Sequence, residues 1–241
     1  MSPRLFVDPS QCALAAGVAV AMPEAAAHHA LRVVRMREGD ALTLFDGTGG
    51  EWQATIASAD KRGATVAVEA HRAIERESPL AIRLAIAILA TDAMDYAVRK
   101  SVELGVAAID PVVAARSQGA ARSNRAEHWR RIVIAACEQC GRNRVPSVAA
   151  PRPLDDWLAS RDRAMPGIVL APGVTAPLAS VAAGRAIDLL VGPEGGFESR
   201  ELDAALRAGL RPVAMGPRVL KSETACVAAI AALQSLAGDW R

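Results

Sequence analysis

Two polar loops toward the end of the chain contain the residues best suited to binding a ligand. The first, Gly192–Phe197, has three glycines in five residues, so its backbone can approach a ligand closely and adopt positive φ angles. Its spacing matches neither the dinucleotide-binding fingerprint nor the phosphate-binding P-loop. A tight turn without a ligand would contain the same residues, so this loop alone leaves both interpretations open.

The second loop, Gly216–Thr224, adds charged groups to a similar turn. Arg218 and Lys221 can face anionic groups, and Glu223 places a carboxylate beside them. The alternative is a solvated loop before a helix, in which Glu223 favours the helix N-terminus. Two rigid polar loops close together in the chain favour a ligand site over that alternative.

Alternating strands and helices predict the scaffold that positions these loops. Apolar runs at 168–171, 187–191 and 212–215 indicate strands, and a turn or loop follows each. Further strands are predicted at 82–90 and 106–113, and helices at 91–104, 126–140, 199–208 and 223–236. This order indicates an α/β domain with a mainly parallel sheet, in which ligands bind at the carboxyl ends of the strands.

The first part of the chain has a different pattern. Short strands are predicted at 41–46, 51–57 and 64–69, joined by glycine-containing turns, with one helix at 24–36. Such a pattern is typical of a small β-barrel. The charged, proline-ended segment 74–79 marks the boundary, which predicts domains at 1–75 and 79–241.

Composition excludes several classes of protein. The chain is 51% apolar and 22% charged with a net charge of +2, as expected for a globular protein and not for a polycation. The start of the chain lacks the pattern of a signal peptide, and the longest apolar run, 225–233, is far shorter than the ~20 residues of a membrane span. We therefore expect a cytoplasmic protein that does not enter a membrane.

The cysteine pattern does not predict a metal site. Cys137 and Cys140 form a C-x-x-C pair, but no second pair or spaced histidines complete a zinc set. Both cysteines fall within a predicted helix, so we interpret them as two small residues on one helical face.

The two loops together resemble the signature of the SPOUT superfamily and, more narrowly, the RsmE family of bacterial 16S rRNA uridine-N3 methyltransferases. The resemblance includes Gly192–Phe197 and 215–225 and extends over almost the whole chain. Four further blocks match the family in order: 3–7, 28–35, 100–106 and 137–146. Met215, Lys221 and Ser222 depart from the usual Leu, Arg and Thr but keep size or charge, and Glu198 replaces a common serine cap.

The resemblance implies a fold, a cofactor and partners. It implies a PUA-like, RNA-binding β-barrel followed by a SPOUT-type trefoil-knot α/β domain that binds S-adenosylmethionine (SAM). It also implies a homodimer, with the site near the subunit interface, that acts on 16S rRNA of the small ribosomal subunit. The implied target is one uridine, position 1498 in the usual rRNA numbering.

The resemblance also assigns site residues. The implied cofactor-binding residues lie in the three strand-end segments and are Leu170, Ala171, Gly192, Pro193, Glu194, Gly195, Gly196, Met215, Gly216, Val219, Leu220, Thr224 and Ala225. Arg218 and Glu223 are the predicted catalytic residues, because a cation stabilises the charge that develops on the uridine carbonyl oxygens and a carboxylate can accept the N3 proton. Glu138 and Glu194 are alternative proton acceptors.

Arginines are concentrated in one part of the chain. Residues 116–144 contain seven arginines against two glutamates, a net charge of +5 that suits contact with RNA phosphates. A solvated helix face is the alternative. The predicted RNA-binding residues are Arg4, Arg35, Arg116, Arg122, Arg125, Arg142 and Arg144.

Two other functions fit the same motifs. The domain could methylate a different RNA atom, such as a ribose 2′-oxygen of tRNA. It could also be a non-catalytic RNA-binding assembly factor, in which case the loops would no longer bind SAM.

Overall fold

The computed structural model describes residues 2–60, 63–118, 125–181 and 184–240, which form two compact units. The N-terminal unit contains Met1–Glu77 together with Cys137–Val145. The C-terminal unit contains Ser78–Ala136 and Pro146–Arg241. The sequence-based limits gave each domain one continuous stretch and so placed Cys137–Val145 in the C-terminal domain.

A five-stranded sheet forms the centre of the N-terminal unit. Its strands are β1 (Arg4–Phe6), β2 (Val18–Ala21), β3 (Ala41–Phe45), β4 (Glu51–Ala59) and β5 (Ala64–Arg72). The order is β1-β3-β4-β5-β2, with β1 parallel to β3 and the other pairs antiparallel. Two register shifts between β4 and β5 bend the sheet around a core in which Leu44, Ile56 and Val66 are fully buried.

The helix predicted at 24–36 is shorter and partly of another type. An α-helix, α1 (Glu24–His28), continues as a π-helical turn over His29–Val33. Arg35 then adopts a positive φ of 63°, which reverses the chain so that Met36 returns to the core. A left-handed residue other than glycine cannot continue a right-handed helix, so the helix ends before the residue that the apolar pattern indicated.

The C-terminal unit contains a parallel sheet, which confirms the predicted α/β class. Its strands are β6 (Ala81–Ala87), β7 (Val106–Val113), β8 (Ser147–Val148), β9 (Arg152–Pro153), β10 (Gly167–Leu170), β11 (Ala186–Val191) and β12 (Arg211–Val213). The order is β12-β10-β11-β6-β7-β8, with β9 also on β7, and every pair is parallel. The trefoil knot implied by the family resemblance stays a prediction.

Five α-helices accompany this sheet in the part of the chain that the structure describes. They are α2 (Thr91–Glu103), α3 (Arg125–Cys140), α4 (Leu154–Ser160), α5 (Ser199–Arg207) and α6 (Ser222–Ala237). Helix α6 packs against α2, where Ser101 and Cys226 contact each other, and α4 packs against α5, where Trp157 is buried. A capping box between Glu198 and Glu201 fixes the start of α5, so the acid that replaces the usual serine still caps the helix.

Candidate active site

Three loops at the carboxyl ends of β10, β11 and β12 enclose a cleft of about 390 Å³ in the C-terminal unit. These strands are neighbours in the sheet, so the segments that follow them lie at one edge, as the parallel pattern predicted. The lining residues are Leu170, Ala171, Pro172, Val191, Gly192, Pro193, Glu194, Gly195, Gly196, Phe197, Leu202, Val213, Ala214, Met215, Gly216, Arg218, Val219, Leu220, Ser222 and Ala225.

In the loop after β11 (the glycine loop, Gly192–Phe197), glycine is required at different positions for different structural reasons. Gly196 has a φ of +70° and donates its N–H to the Pro193 carbonyl at 2.8 Å, which closes a tight turn. At Gly192 a β-carbon would lie 3.0 Å from the ring of Phe197, so the aromatic ring can pack only against a bare backbone. The result is a compact loop with its backbone exposed toward the cleft.

The loop after β12 contributes a cation to the same cleft. Gly216 turns the chain with a φ of +86°, and Arg218 and Val219 follow on the exposed side. Within the described residues, the Arg218 guanidinium has neither a hydrogen bond nor an ion pair. Val219 is 80% exposed although its side chain is apolar. This loop therefore presents a free positive charge beside an uncovered apolar group.

Twelve of the thirteen predicted cofactor-binding residues line the cleft, as does Arg218. Thr224 and Glu223 do not, because α6 begins at Ser222 and its first turn directs them elsewhere; Thr224 is exposed. Among the three carboxylates considered as proton acceptors, Glu194 lines the cleft, whereas Glu138 belongs to the N-terminal unit.

Sequence reasoning missed seven of the lining residues. They are Pro172, Val191, Phe197, Leu202, Val213, Ala214 and Ser222. Val191, Val213 and Ala214 stand at a strand end or one residue beyond it, so the apolar runs that located the strands could also have located them. Leu202 lies on α5, and its position depends on how that helix packs against the sheet.

Groups outside the glycine loop hold it in place. The Ala90 N–H donates to Glu194 Oε1 at 3.3 Å. Arg116 Nη1 donates to the Gly195 carbonyl at 2.8 Å. The loop is therefore fixed from the ends of β6 and β7 as well as from its own turn.

Two of the predicted RNA-binding arginines are bound within the N-terminal unit. The Arg4 guanidinium donates to Glu51 Oε2 at 2.6 Å and to Asn143 Oδ1 at 2.5 Å, and it lies 5.2 Å from the centre of the Phe45 ring. The Arg142 side chain is 5% exposed and forms an ion pair with Glu77. These guanidinium groups are bound inside the protein, and their contact with RNA phosphates stays a prediction.

The remaining predicted RNA-binding arginines differ in exposure. Arg35 and Arg116 are exposed, and Arg125 is half-buried at the start of α3. Arg144 is 56% exposed, although its Nε lies 3.4 Å from Glu75 Oε2. Arg122 lies outside the described residues. Contact of any of these side chains with RNA stays a prediction.

Titratable groups of the N-terminal unit are shifted by burial and by their partners. Burial raises the pKa of Glu138, although the Phe6 N–H donates to its Oε1 at 2.9 Å and His29 lies 3.7 Å from its Oε2. Burial also raises the pKa of the Cys137 thiol to about 12, so this thiol stays protonated. Cys137 and Cys140 do not form a disulfide with each other.

Two features are absent from the described residues. No group of three or more His, Cys, Asp or Glu side chains there is arranged to hold a metal ion. No helix in the described part of the chain has both the length and the apolar character needed to cross a membrane.

Comparison with known protein families supplies two matches. The model of an RNA methyltransferase domain matches residues 76–234, and the model of an RNA methyltransferase PUA domain matches residues 23–69. The first match therefore contains the whole cleft, and the second lies within the N-terminal unit.

Individual relatives match over nearly the full length. The ribosomal RNA small subunit methyltransferase E of Buchnera aphidicola (subsp. Schizaphis graminum) is 31% identical over 91% of this chain and 92% of its own. The protein of the same name from Synechocystis is 31% identical over 98% of this chain and 78% of its own.

Solved structures match as closely. A ribosomal RNA small subunit methyltransferase E from Neisseria gonorrhoeae bound to S-adenosyl methionine superposes with a TM-score of 0.94 at 36% identity, covering 100% of both chains. A Legionella pneumophila protein in complex with the bound cofactor SAM superposes with a TM-score of 0.90 at 33% identity, covering 99% of both chains.

Proposed function

The chain belongs to the ribosomal RNA small subunit methyltransferase E family, and from this membership we propose that it transfers the methyl group of SAM to N3 of one uridine in 16S rRNA. The observation that carries the proposal is the cleft formed by three adjacent strand-end loops. Two full-length structural relatives are bound to SAM, which supports the same cofactor here.

The cleft has the size and lining that SAM requires. Its volume of about 390 Å³ falls in the ordinary range for small-molecule sites. Apolar side chains such as Leu170, Val191 and Leu220 can hold the adenine ring. The glycine loop offers backbone N–H and C=O groups, which fix the orientation of a polar ligand without bulky side chains.

Methyl transfer from a sulfonium is an in-line displacement. The bond from carbon to sulfur breaks as the bond from carbon to N3 forms, S-adenosylhomocysteine leaves, and the N3 proton passes to a base or to water. Holding both reactants in line supplies roughly 7–11 kcal/mol of the barrier reduction. Arg218, which lines the cleft and has no partner among the described residues, can stabilise the negative charge on the uridine carbonyl oxygens.

The RNA and a second copy of the chain are the expected partners. The exposed arginines Arg35, Arg116 and Arg144 can contact phosphates, and the PUA match supports RNA binding by the N-terminal unit. The exposed Val219 beside the cleft is the kind of side chain that a second subunit covers. A homodimer in the cytoplasm, where rRNA matures, therefore completes the proposal, and analytical ultracentrifugation measures the oligomeric state.

Mass spectrometry of nucleosides from 16S rRNA tests the reaction. Cells lacking the gene should lose one N3-methyluridine, and the wild-type gene should restore it. N3 methylation blocks the pairing edge of the base, so a reverse-transcription stop should disappear together with the modified nucleoside. Loss of a ribose-methylated nucleoside instead would assign the chain to another reaction, and an unchanged spectrum would contradict a catalytic role.

Purified components give the complementary measurement. The protein should methylate small ribosomal subunits prepared from the deletion strain and should not methylate subunits that already carry the group. Calorimetry with SAM alone separates binding of the cofactor from recognition of the RNA. A protein that binds RNA but not SAM would contradict the proposed function.

A further inference from the structure

Arg116 contacts the backbone of the cofactor cleft directly, although the arginine-rich stretch that contains it suggested a role in RNA binding. Its Nη1 donates to the carbonyl oxygen of Gly195 at 2.8 Å. Gly195 belongs to the glycine loop and lines the cleft. The side chain thus links the segment after β7 to the loop after β11.

Both ends of a single peptide group are held by this arrangement. The C=O of Gly195 accepts from Arg116, and the N–H on the other side of the same peptide, that of Gly196, donates to the Pro193 carbonyl at 2.8 Å. Because a peptide group is planar, bonds at both of its ends fix its rotation. The backbone beside the cleft therefore has one orientation as long as Arg116 is in place.

The stem of Arg116 also packs against this peptide. A β-carbon built on Gly195 would lie 3.2 Å from Arg116 Cδ and 3.4 Å from Arg116 Cβ. The absence of a side chain at Gly195 thus lets the aliphatic part of the arginine lie directly against the loop. Packing and hydrogen bonding act on the same residue.

The turn that carries Arg116 is itself well anchored. The Ala114 N–H donates to Ser117 Oγ at 2.9 Å, and the Ala115 N–H donates to Glu201 Oε1 at 2.7 Å. Glu201 is buried and also caps α5 by accepting the N–H of Glu198 at 2.9 Å. Since α5 begins immediately after the glycine loop, one carboxylate ties the turn and the end of that loop together.

We propose that Arg116 is a positioning residue for the cofactor, which holds the Gly195–Gly196 peptide in the orientation that SAM binding requires. The inference rests on the proposed function, because the proposed function is what identifies SAM as the ligand of the cleft. It predicts that loss of the Arg116 side chain weakens binding of SAM in the absence of RNA.

Calorimetry with SAM and no RNA measures this effect. Arg116→Ala should raise the Kd for SAM about tenfold, which is the contribution of one solvent-exposed, charge-assisted hydrogen bond. Arg116→Lys should recover most of the affinity, because an ammonium group can make a single bond to a carbonyl. Arg207→Ala, which removes an exposed arginine from the end of α5, should leave the Kd unchanged.

A double-mutant cycle separates packing from general damage to the loop. In the wild type, Gly195→Ala forces the Arg116 stem to move; in the Arg116→Ala background most of that stem is absent, so the same substitution should raise the Kd by a smaller factor. Equal factors in both backgrounds would show that Arg116 does not act through Gly195 and would overturn the proposal.

Hydrogen exchange of the cofactor-free protein tests the bracing without relying on SAM. Arg116→Ala should increase exchange of the Gly196 amide relative to the wild type and Arg207→Ala. Unchanged exchange together with an unchanged Kd, or a loss confined to RNA affinity, would overturn the inference. If the wild type bound no SAM, the proposed function would fail, whereas the exchange result would still decide whether Arg116 holds the loop.

Discussion

Three arginines of the N-terminal unit face carboxylates, whereas two beside the cleft of the C-terminal unit face a backbone carbonyl or solvent. Arg4, Arg142 and Arg144 pair with Glu51, Glu77 and Glu75, respectively. Arg116 donates to Gly195, and within the described residues Arg218 has no partner. Both regions contain motif blocks shared with the family, so an arginine in such a block can stabilise the fold or bind the ligand. An arginine that pairs with a nearby carboxylate has the structural role.

The largest expected effect concerns the unpaired arginine of the cleft. Arg218→Ala should lower the rate of methyl transfer to small ribosomal subunits by roughly 10²–10³-fold, the usual cost of removing one group that stabilises developing charge. The Kd for SAM and the Tm should change little, since the guanidinium supports no described part of the protein. Single-turnover kinetics and calorimetry provide the two measurements.

A conservative variant supplies the control for Arg218. Arg218→Lys keeps the charge and should retain an intermediate rate. Undiminished turnover of Arg218→Ala with full binding of SAM would show that Arg218 has no role in the reaction. A large fall in Tm would show that Arg218 has a structural role, like the arginines of the N-terminal unit.

The buried arginine of the N-terminal unit should show the opposite behaviour. Arg142→Ala should lower the free energy of unfolding by about 3 kcal/mol, because it removes a buried arginine and leaves the half-buried Glu77 carboxylate without its partner. Urea titration followed by circular dichroism measures the change. The Kd for SAM of the folded fraction should stay at the wild-type value; a weakened Kd with normal stability would reverse the assignment.

The carboxylates that pair with the arginines of the N-terminal unit predict that its stability depends on pH, with an effect of intermediate size. Burial raises the pKa of Glu51, but hydrogen bonds from Arg4, Arg76 and Asn143 outweigh it and hold the pKa below its ordinary value. A depressed carboxyl pKa stabilises the fold above the pKa of the unfolded chain, and this stabilisation is lost as the pH falls through the folded-state pKa. The urea concentration at the midpoint of unfolding should therefore decrease as the pH is lowered from about 6 to about 3.5.

Glu51→Gln should flatten that dependence, because the amide does not titrate. Glu38→Gln, which alters an exposed carboxylate of the same unit, should leave it unchanged. Parallel curves for Glu51→Gln and the wild type would show that these arginines do not depress the Glu51 pKa.

The smallest effect on stability is expected at Arg144. Its ion pair is solvent-exposed, so Arg144→Ala should change the free energy of unfolding by less than about 1 kcal/mol. If Arg144 contacts a phosphate, the same variant should reduce by about 1 the slope of the logarithm of the RNA-binding constant against the logarithm of the salt concentration. Filter binding at several salt concentrations measures that slope, and destabilisation equal to that of Arg142→Ala would break the contrast drawn between buried and exposed arginines.

Much of the C-terminal unit could be predicted from residue patterns. The apolar runs before Pro172, Gly192 and Gly216 identify three strands, and parallel topology alone places their ends together. The helices α2, α3, α5 and α6 follow from apolar spacing and from caps such as Glu198. In such elements one local pattern decides the structure, so a single sequence suffices.

The features that escaped prediction depend on distant partners. Strands β1 and β2 contain three and four residues, too few to show a period, and they exist because β3 and β5 offer free edges. Helix α4 was not predicted, although the acidic first turn after Pro153 is a usable start signal. The pairing of Arg4 with Glu51 and Asn143 links residues far apart in the chain, which charge counting cannot detect.

The inclusion of Cys137–Val145 in the N-terminal unit has a consequence for synthesis of the chain. When Glu77 has just been added, Glu77 and Glu75 still lack the arginines of that segment as partners. The Ile74 carbonyl likewise lacks the hydrogen bond that the Asn143 side-chain amide donates to it. At about 5–20 residues per second, the ribosome needs roughly 3–14 s more before Val145 is joined to the chain. The first stretch of the N-terminal unit is thus made well before that unit can be complete, and a truncation after Glu77 would leave the Glu75 and Glu77 carboxylates without their arginines and the Ile74 carbonyl without its amide partner.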